Sequence, residues 1–167
     1  MNWLGEKVQE LIKIEDTVLD LGCGNNITID GLSCWSYLGL DAWMPYLESI
    51  KSKQNVIQFD LEKDSLERFP DKSYDVVICL DVLEHLSLER VAYVLDNMKR
   101  IARKTVIIFT PSTFKDNHSA TENAWDLGPC PFQKHKCLVP YDLLESKGFR
   151  VRMDNADNAY FGVFKWE

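Results

Sequence analysis

The run YDVVICL, residues 74–80, limits the possible folds of this chain more than any other stretch. Its β-branched side chains favour extended backbone, and it is apolar at odd and even positions alike, so neither face of the strand can meet water. Such a strand belongs inside a sheet that is covered on both sides. The periodicity of the flanking segments supplies the covers. Trp3, Leu4, Val8, Leu11 and Ile12 share one helical face, and so do Val91, Val94, Leu95, Met98 and Ile101. Arg100, Arg103 and Lys104 follow at the end of the second helix, where cations suit the helix dipole.

Further short apolar runs read as strands: Thr17 to Leu21, Tyr37 to Leu40, Val56 to Phe59, TVIIF at 105–109, then RVRMD and YFGVFKW near the end. Helical spacing returns between them at Tyr46, Leu47 and Ile50, and in YDLLESKGF, which Gly148 closes. Strands alternating with helices predict a doubly wound α/β fold with a mostly parallel sheet, and the last two strands lie close enough in sequence to pair antiparallel. With 167 residues, 46% of them hydrophobic, one core and a single domain over 1–167 are expected. From 110 to 140 the period is lost amid four prolines, Cys130, Cys137, Trp125, His118 and His135, which predicts a lid loop.

The net charge of −7 repels phosphate backbones and anionic membranes, which disfavours nucleic acid as a partner. No apolar run approaches the roughly 20 residues of a membrane span. The five cysteines are odd in number and scattered, with no secretory segment before them, so a cytoplasmic protein is expected. Cys130, His135, Cys137 and His118 contain no C-x-x-C pair and match no common zinc spacing, so no metal is expected.

Three of the strands end in the same way. TVLDLGCGNN, residues 17–26, places Asp20 before a turn stripped of side chains at Gly22 and Gly24, while Asp41 and Asp60 terminate the next two strands. In a parallel sheet all three carboxylates fall at one edge, the edge where such folds bind ligands. Glycines in the turn would let backbone amides approach a ligand closely.

VLDLGCGNN, YLGLDAW, QFDLE and YDVVICLDVLEHL, in that order, resemble the signatures of class I S-adenosylmethionine-dependent methyltransferases. The resemblance implies a sheet of about seven strands with a reversed last strand, S-adenosyl-L-methionine as cofactor, and a small-molecule methyl acceptor. It implies that Asp20, Gly22 and Gly24 hold the methionine part and that Asp41 accepts both ribose hydroxyls. It further implies that Asp60 accepts from the adenine amino group with Leu61 against the ring, and that Leu80 and Asp81 face the methionine end. Glu84 and His85 belong to the LEHL pattern, and Gln133 and His135 match a pattern found in part of the family. His135 or Asp81 would serve where the acceptor must lose a proton, and Trp125, Phe114 and Phe132 are available to cover it.

The chain also departs from the pattern. Asn26 stands where a third glycine is common, and the short, β-branched segment after Asn25 predicts a stunted first helix. A nicotinamide-dependent oxidoreductase is disfavoured because Ile27 takes the place of the last glycine in G-x-G-x-x-G. Methylation of nucleic-acid amino groups is disfavoured because CLDV replaces a proline-rich tetrapeptide. A non-catalytic cofactor-binding subunit that activates a partner methyltransferase remains the alternative.

Overall fold

The computed structural model describes residues 2–50, 55–117, 122–154, 156 and 158–166. The strands are β1 (Thr17–Leu21), β2 (Ser36–Asp41), β3 (Asn55–Gln58), β4 (Tyr74–Leu80), β5 (Ala102–Pro111), β6 (Arg150–Asp154) and β7 (Ala159–Lys165). They form one sheet in the order β3-β2-β1-β4-β5-β7-β6. The first five run parallel, and β7 inserts antiparallel between β5 and β6. The α-helices are α1 (Trp3–Gln9), α2 (Met44–Ser49), α3 (Leu88–Ile101) and α4 (Tyr141–Ser146). This is the doubly wound, seven-stranded architecture expected from the sequence.

The central position of β4 follows from its composition. Val76, Val77, Ile78 and Cys79 are all fully buried, and the strand sends them alternately to two cores. Val77 and Cys79 meet Val91, Val94, Leu95 and Met98 of α3 together with Leu144 of α4. Val76 and Ile78 meet Leu4 and Val8 of α1 on the opposite face. The chain winds outward from β1 to β3, then returns to β4, so the order reverses between β1 and β4. A crevice opens at such a point, beyond the carboxyl ends of the strands.

Two local outcomes differ from the sequence reading. Among the described residues no helix joins β1 to β2; residues 22–35 run in turns, and Ile29, 1% exposed, fills the core where a helix face would have packed. Adjacent Asn25 and Asn26 and the β-branched run after them favour turns over helix. The second difference concerns β5, which begins at Ala102 directly after α3, so Arg103 and Lys104 lie on a strand and not at a helix end. There Arg103 Nη2 meets Asp75 Oδ2 at 3.0 Å and Lys104 Nζ meets Asp16 Oδ1 at 2.6 Å. The Arg103 hydrogen bond holds the Asp75 carboxyl well below the usual carboxylate range. These pairs close the edge of the sheet opposite the crevice.

Candidate functional site

A cavity of about 430 Å³ lies over the carboxyl ends of β1 to β5. Gly22, Gly24, Asp41, Asp60, Leu61, Leu80, Asp81 and His135 all line it, drawn from β1 through β4 and the loop after β5. Asp20, which the resemblance also assigns to the cofactor, does not line it.

The glycine turn is built around its protein contacts. Gly22 adopts φ +79, and an added Cβ would stand 2.3 Å from Val82 Cγ2. The Gly22 and Cys23 amides both donate to Leu40 O, at 2.7 and 2.9 Å, and the Gly24 amide donates to Asp41 Oδ2 at 2.9 Å. The expectation that these amides point at a ligand is therefore corrected. Because β1 and β2 are parallel and end level, the turn settles onto the last carbonyl and the carboxylate of β2. Gly24 contributes bare backbone instead: it lines the cavity, and a Cβ there would meet nothing within 4 Å.

Asp41 is held from two sides, since Oδ1 also accepts the Trp43 amide at 2.9 Å. Burial raises its pKa, and these amides oppose the rise. A carboxylate offers about four acceptor positions, so sites remain for a diol. Asp60 is similarly posed, with Oδ1 accepting the Glu62 amide at 2.9 Å and Oδ2 at 3.0 Å from Lys63 Nζ. Phe59, Leu61, Leu80 and the half-exposed Ile27 add apolar wall. Carboxylates, bare glycine backbone and apolar walls fit a nucleoside bearing a cationic tail. Asp41→Ala is expected to weaken S-adenosylhomocysteine binding by about 1.5–3 kcal/mol, the scale of hydrogen bonds to a charged group. Calorimetry measures the loss. Since Gly24 and Trp43 also lose an acceptor, the melting temperature should fall as well.

Asp20 sits behind the turn. It is 3% exposed, and its Oδ2 accepts the Tyr37 hydroxyl at 2.8 Å, while that hydroxyl lies 3.2 Å from Asn26 Oδ1. The alternation of β1 sends Leu19 and Leu21 to the α3 face and Asp20 to the α1 face, where Tyr37 also packs. Through the Tyr37 hydroxyl it is linked to Asn26 of the turn. Burial pushes its carboxyl up to about 7 from 3.8. Between those two values the folded state holds a proton that the unfolded chain has released, so the contribution of Asp20 to stability is lost as pH rises through that window. Asp20→Asn cannot titrate. Its melting temperature should gain on the wild type as pH increases from about 4 to 8, as scans at several pH values would show.

Past β4 the backbone tightens. Asp81 takes φ 54, a left-handed conformation costly for a non-glycine residue and frequent at functional sites, and its amide donates to Phe109 O at 2.8 Å. Glu84 and His85 follow in a 3₁₀ turn, Leu83–His85. Glu84 is 3% exposed, and its Oε2 accepts the hydroxyl of buried Thr110 at 2.9 Å. Burial, with the charge of Asp81, pushes its carboxyl up to about 8. Burial, with His135 alongside, pushes His85 down to about 4, and burial also lowers His135.

The irregular segment after β5 is tied down over this region. Lys136 and Cys137 donate amides to Glu84 O at 2.8 and 3.2 Å. The His135 amide donates to Asn117 Oδ1 at 2.9 Å, and Asn117 Nδ2 donates back to Gln133 O. Gln133 Nε2 reaches Tyr46 of α2 at 2.7 Å. Trp125 and Phe132 line the cavity, whereas Phe114 stands beside His135 with ring centroids 6.4 Å apart. The sequence reading missed Tyr46, Lys115 and Asn117, which carry no motif of their own and reach the cavity only through the fold, and it gave no role to Val82, which stands inside the DVLEHL run.

The cysteines do not assemble. Cys130 is buried with Tyr46 and Ala124, Cys137 points its thiol at Leu83 O, and His118 lies outside the described residues. The side chains brought together are instead Glu84, His85 and His135.

Residues 19–110 match the family model described as a methyltransferase domain. The chain is 31% identical over 117 residues to a ubiquinone biosynthesis O-methyltransferase of Rickettsia bellii (strain OSU 85-389), a match covering 66% of this chain and 48% of that protein. It is 34% identical over 92 residues to a protein of the same description from Saccharophagus degradans, covering 51% of this chain and 38% of the relative. The chain thus spans about half the length, or less, of the curated relatives it matches. Among solved structures, a SAM-dependent methyltransferase from Archaeoglobus fulgidus superposes with TM-score 0.66 at 19% identity, over 97% of this chain and 94% of that one. Magnesium protoporphyrin IX methyltransferase from Synechocystis PCC 6803, solved with bound SAH, gives 0.65 at 18% identity, over 98% and 82%.

Proposed function

The chain belongs to the class I S-adenosylmethionine-dependent methyltransferases, and from that premise we propose that it methylates an oxygen of a small-molecule acceptor. One observation carries the reading: a single cavity joins the glycine turn, Asp41 and Asp60 to the histidine pair His85 and His135. The first group would hold the cofactor. The second stands where an acceptor hydroxyl would be activated. The choice of oxygen is supported by the relatives described as O-methyltransferases.

Once bound, the cofactor supplies a methyl group made electrophilic by its sulfonium. The work left to the protein is alignment and exclusion of water. Asp41 and Asp60 would fix the nucleoside, Leu61 and Phe59 would pack beside its ring, and Leu80 with Asp81 would face the methyl-bearing end. The carboxylates Asp41, Asp60 and Asp81 around the cavity also favour a cationic cofactor over its neutral product. Trp125 and Phe132 would cover a planar acceptor.

The test is incubation of the isolated chain with isotopically labelled S-adenosylmethionine and a metabolite extract, followed by mass spectrometry of labelled products. A labelled methyl ether supports the reading. A labelled amine or thioether would replace oxygen as the acceptor, and tight nicotinamide dinucleotide binding without S-adenosylhomocysteine binding would remove the reading altogether. The absence of a helix between β1 and β2 among the described residues favours a second reading, a cofactor-binding subunit that activates a partner methyltransferase. Cofactor binding without turnover by the isolated chain would select it.

A further inference from the structure

A doubly wound sheet is covered by helices on both faces, and one part of this sheet lacks a cover. The register of β7 sets Val163 opposite Ile107 and Phe161 opposite Phe109 of β5. Ile107 and Phe109 are buried with Leu4 and Val8 of α1. Phe161 and Val163, one strand further out on the same face, stay only half-buried. Arg150 and Arg152 of the edge strand β6 pair with Val163 and Phe161, so both arginines stand on that face as well.

Together these residues line a groove of about 650 Å³ whose lining is entirely separate from that of the cofactor cavity. Leu11, Phe161 and Val163 contribute apolar surface, while Arg150, Arg152 and Lys165 contribute charge. Lys7 and Asp154, which also line the groove, neutralise each other at 2.8 Å, which leaves Glu10 as the other acid there. The side chains of Arg150, Arg152 and Lys165 meet no ion-pair or hydrogen-bond partner among the described residues. In a chain of net charge −7 this groove is locally cationic.

We propose that the groove docks an amphipathic helix with acidic flanks, presented by a partner protein. A helix is what covers the same face over β4 and β5, where α1 lies. The apolar stripe of such a helix would complete the burial of Phe161 and Val163. Carboxylates on its flanks would meet Arg150, Arg152 and Lys165, and a guanidinium fork can hold a carboxylate by two parallel hydrogen bonds. A second copy of this chain suits the groove less, because a two-fold axis there would set these cations against their own copies. An anionic bilayer suits it less too, since the net charge opposes approach and a flat surface leaves a concave lining unfilled.

The experiment is titration of the full chain with a fluorescein-labelled synthetic peptide of about 18 residues, long enough to form a helix alone, with a leucine stripe flanked by glutamates. Fluorescence anisotropy reads the binding, and the same peptide with lysines for glutamates is the control. Saturable binding of the glutamate peptide is expected, weakened by salt, with the lysine peptide bound at least about tenfold more weakly. Combining Arg150→Glu with Arg152→Glu should lower affinity for the glutamate peptide at least about tenfold and leave S-adenosylhomocysteine affinity unchanged. Both arginines are exposed on an edge strand, so the fold should tolerate the change. Lys165→Glu, with a smaller loss in the same direction, replaces the pair if it does not fold. No saturable binding of the glutamate peptide, equal binding of the two peptides, or unchanged affinity in the variant overturns the proposal. A concentration-dependent dimer that the arginine replacements abolish, with no peptide bound, would give the groove to a second copy. Sedimentation with phosphatidylglycerol vesicles, abolished in the same way and with no peptide bound, would give it to a bilayer, and either result overturns the proposal.

Discussion

Replacing His135 with asparagine is expected to lower turnover about 100-fold, the scale of a lost group acting on a transferred proton, while cofactor affinity changes less than about twofold. The asymmetry follows from where the residues sit. Gly24, Asp41 and Asp60 belong to the ends of the first three strands, whereas His135 is carried by the loop tied to Glu84 at the end of β4. Asparagine keeps a polar side chain of similar reach, and the backbone bond from residue 135 to Asn117 survives because it uses the main-chain amide. The variant should therefore fold with its loop in place. Steady-state rates beside S-adenosylhomocysteine calorimetry separate the two quantities, and unchanged turnover would remove His135 from the chemistry.

Gly22→Ala is expected to cost about 3 kcal/mol of stability or more, from two independent sources. The backbone at residue 22 is left-handed, at φ +79, which penalises any L side chain by about 1–2 kcal/mol. The new Cβ would in addition stand 2.3 and 2.8 Å from the two methyl carbons of Val82. Neither side yields easily, because Val82 follows the most deeply buried strand and residues 22 and 23 are clamped to Leu40 O. Denaturant melts of Gly22→Ala, Val82→Ala and the double variant form a cycle that isolates the clash. The double variant should recover the clash and keep the backbone penalty. Gly24→Ala is the contrasting case: with nothing within 4 Å of its Cβ, it should lose only the backbone contribution, of about 1–2 kcal/mol.

Much of this molecule could be read before any coordinates. Val76 to Cys79 are apolar at every position, so β4 had to be central, and helical spacing in α3 had to supply a cover. Periods of 2 and 3.6 are imposed by the backbone itself and are visible wherever one face is buried. The placement of Asp41 and Asp60 at one rim follows equally directly, because parallel strands bring their carboxyl ends to a single edge. Three other outcomes depended on the tertiary structure. Asp20 turns inward to Tyr37 because the register of β1 against β2 directs it there. Arg103 and Lys104 leave the helix because Asp75 and Asp16 wait beside the start of β5. Glu84 and His85 meet His135 across some fifty residues of chain, along a loop whose course is decided by the Asn117, Tyr46 and Glu84 contacts. A local period can announce a strand or a helix, but it carries no information about which distant side chains a non-repeating loop brings together.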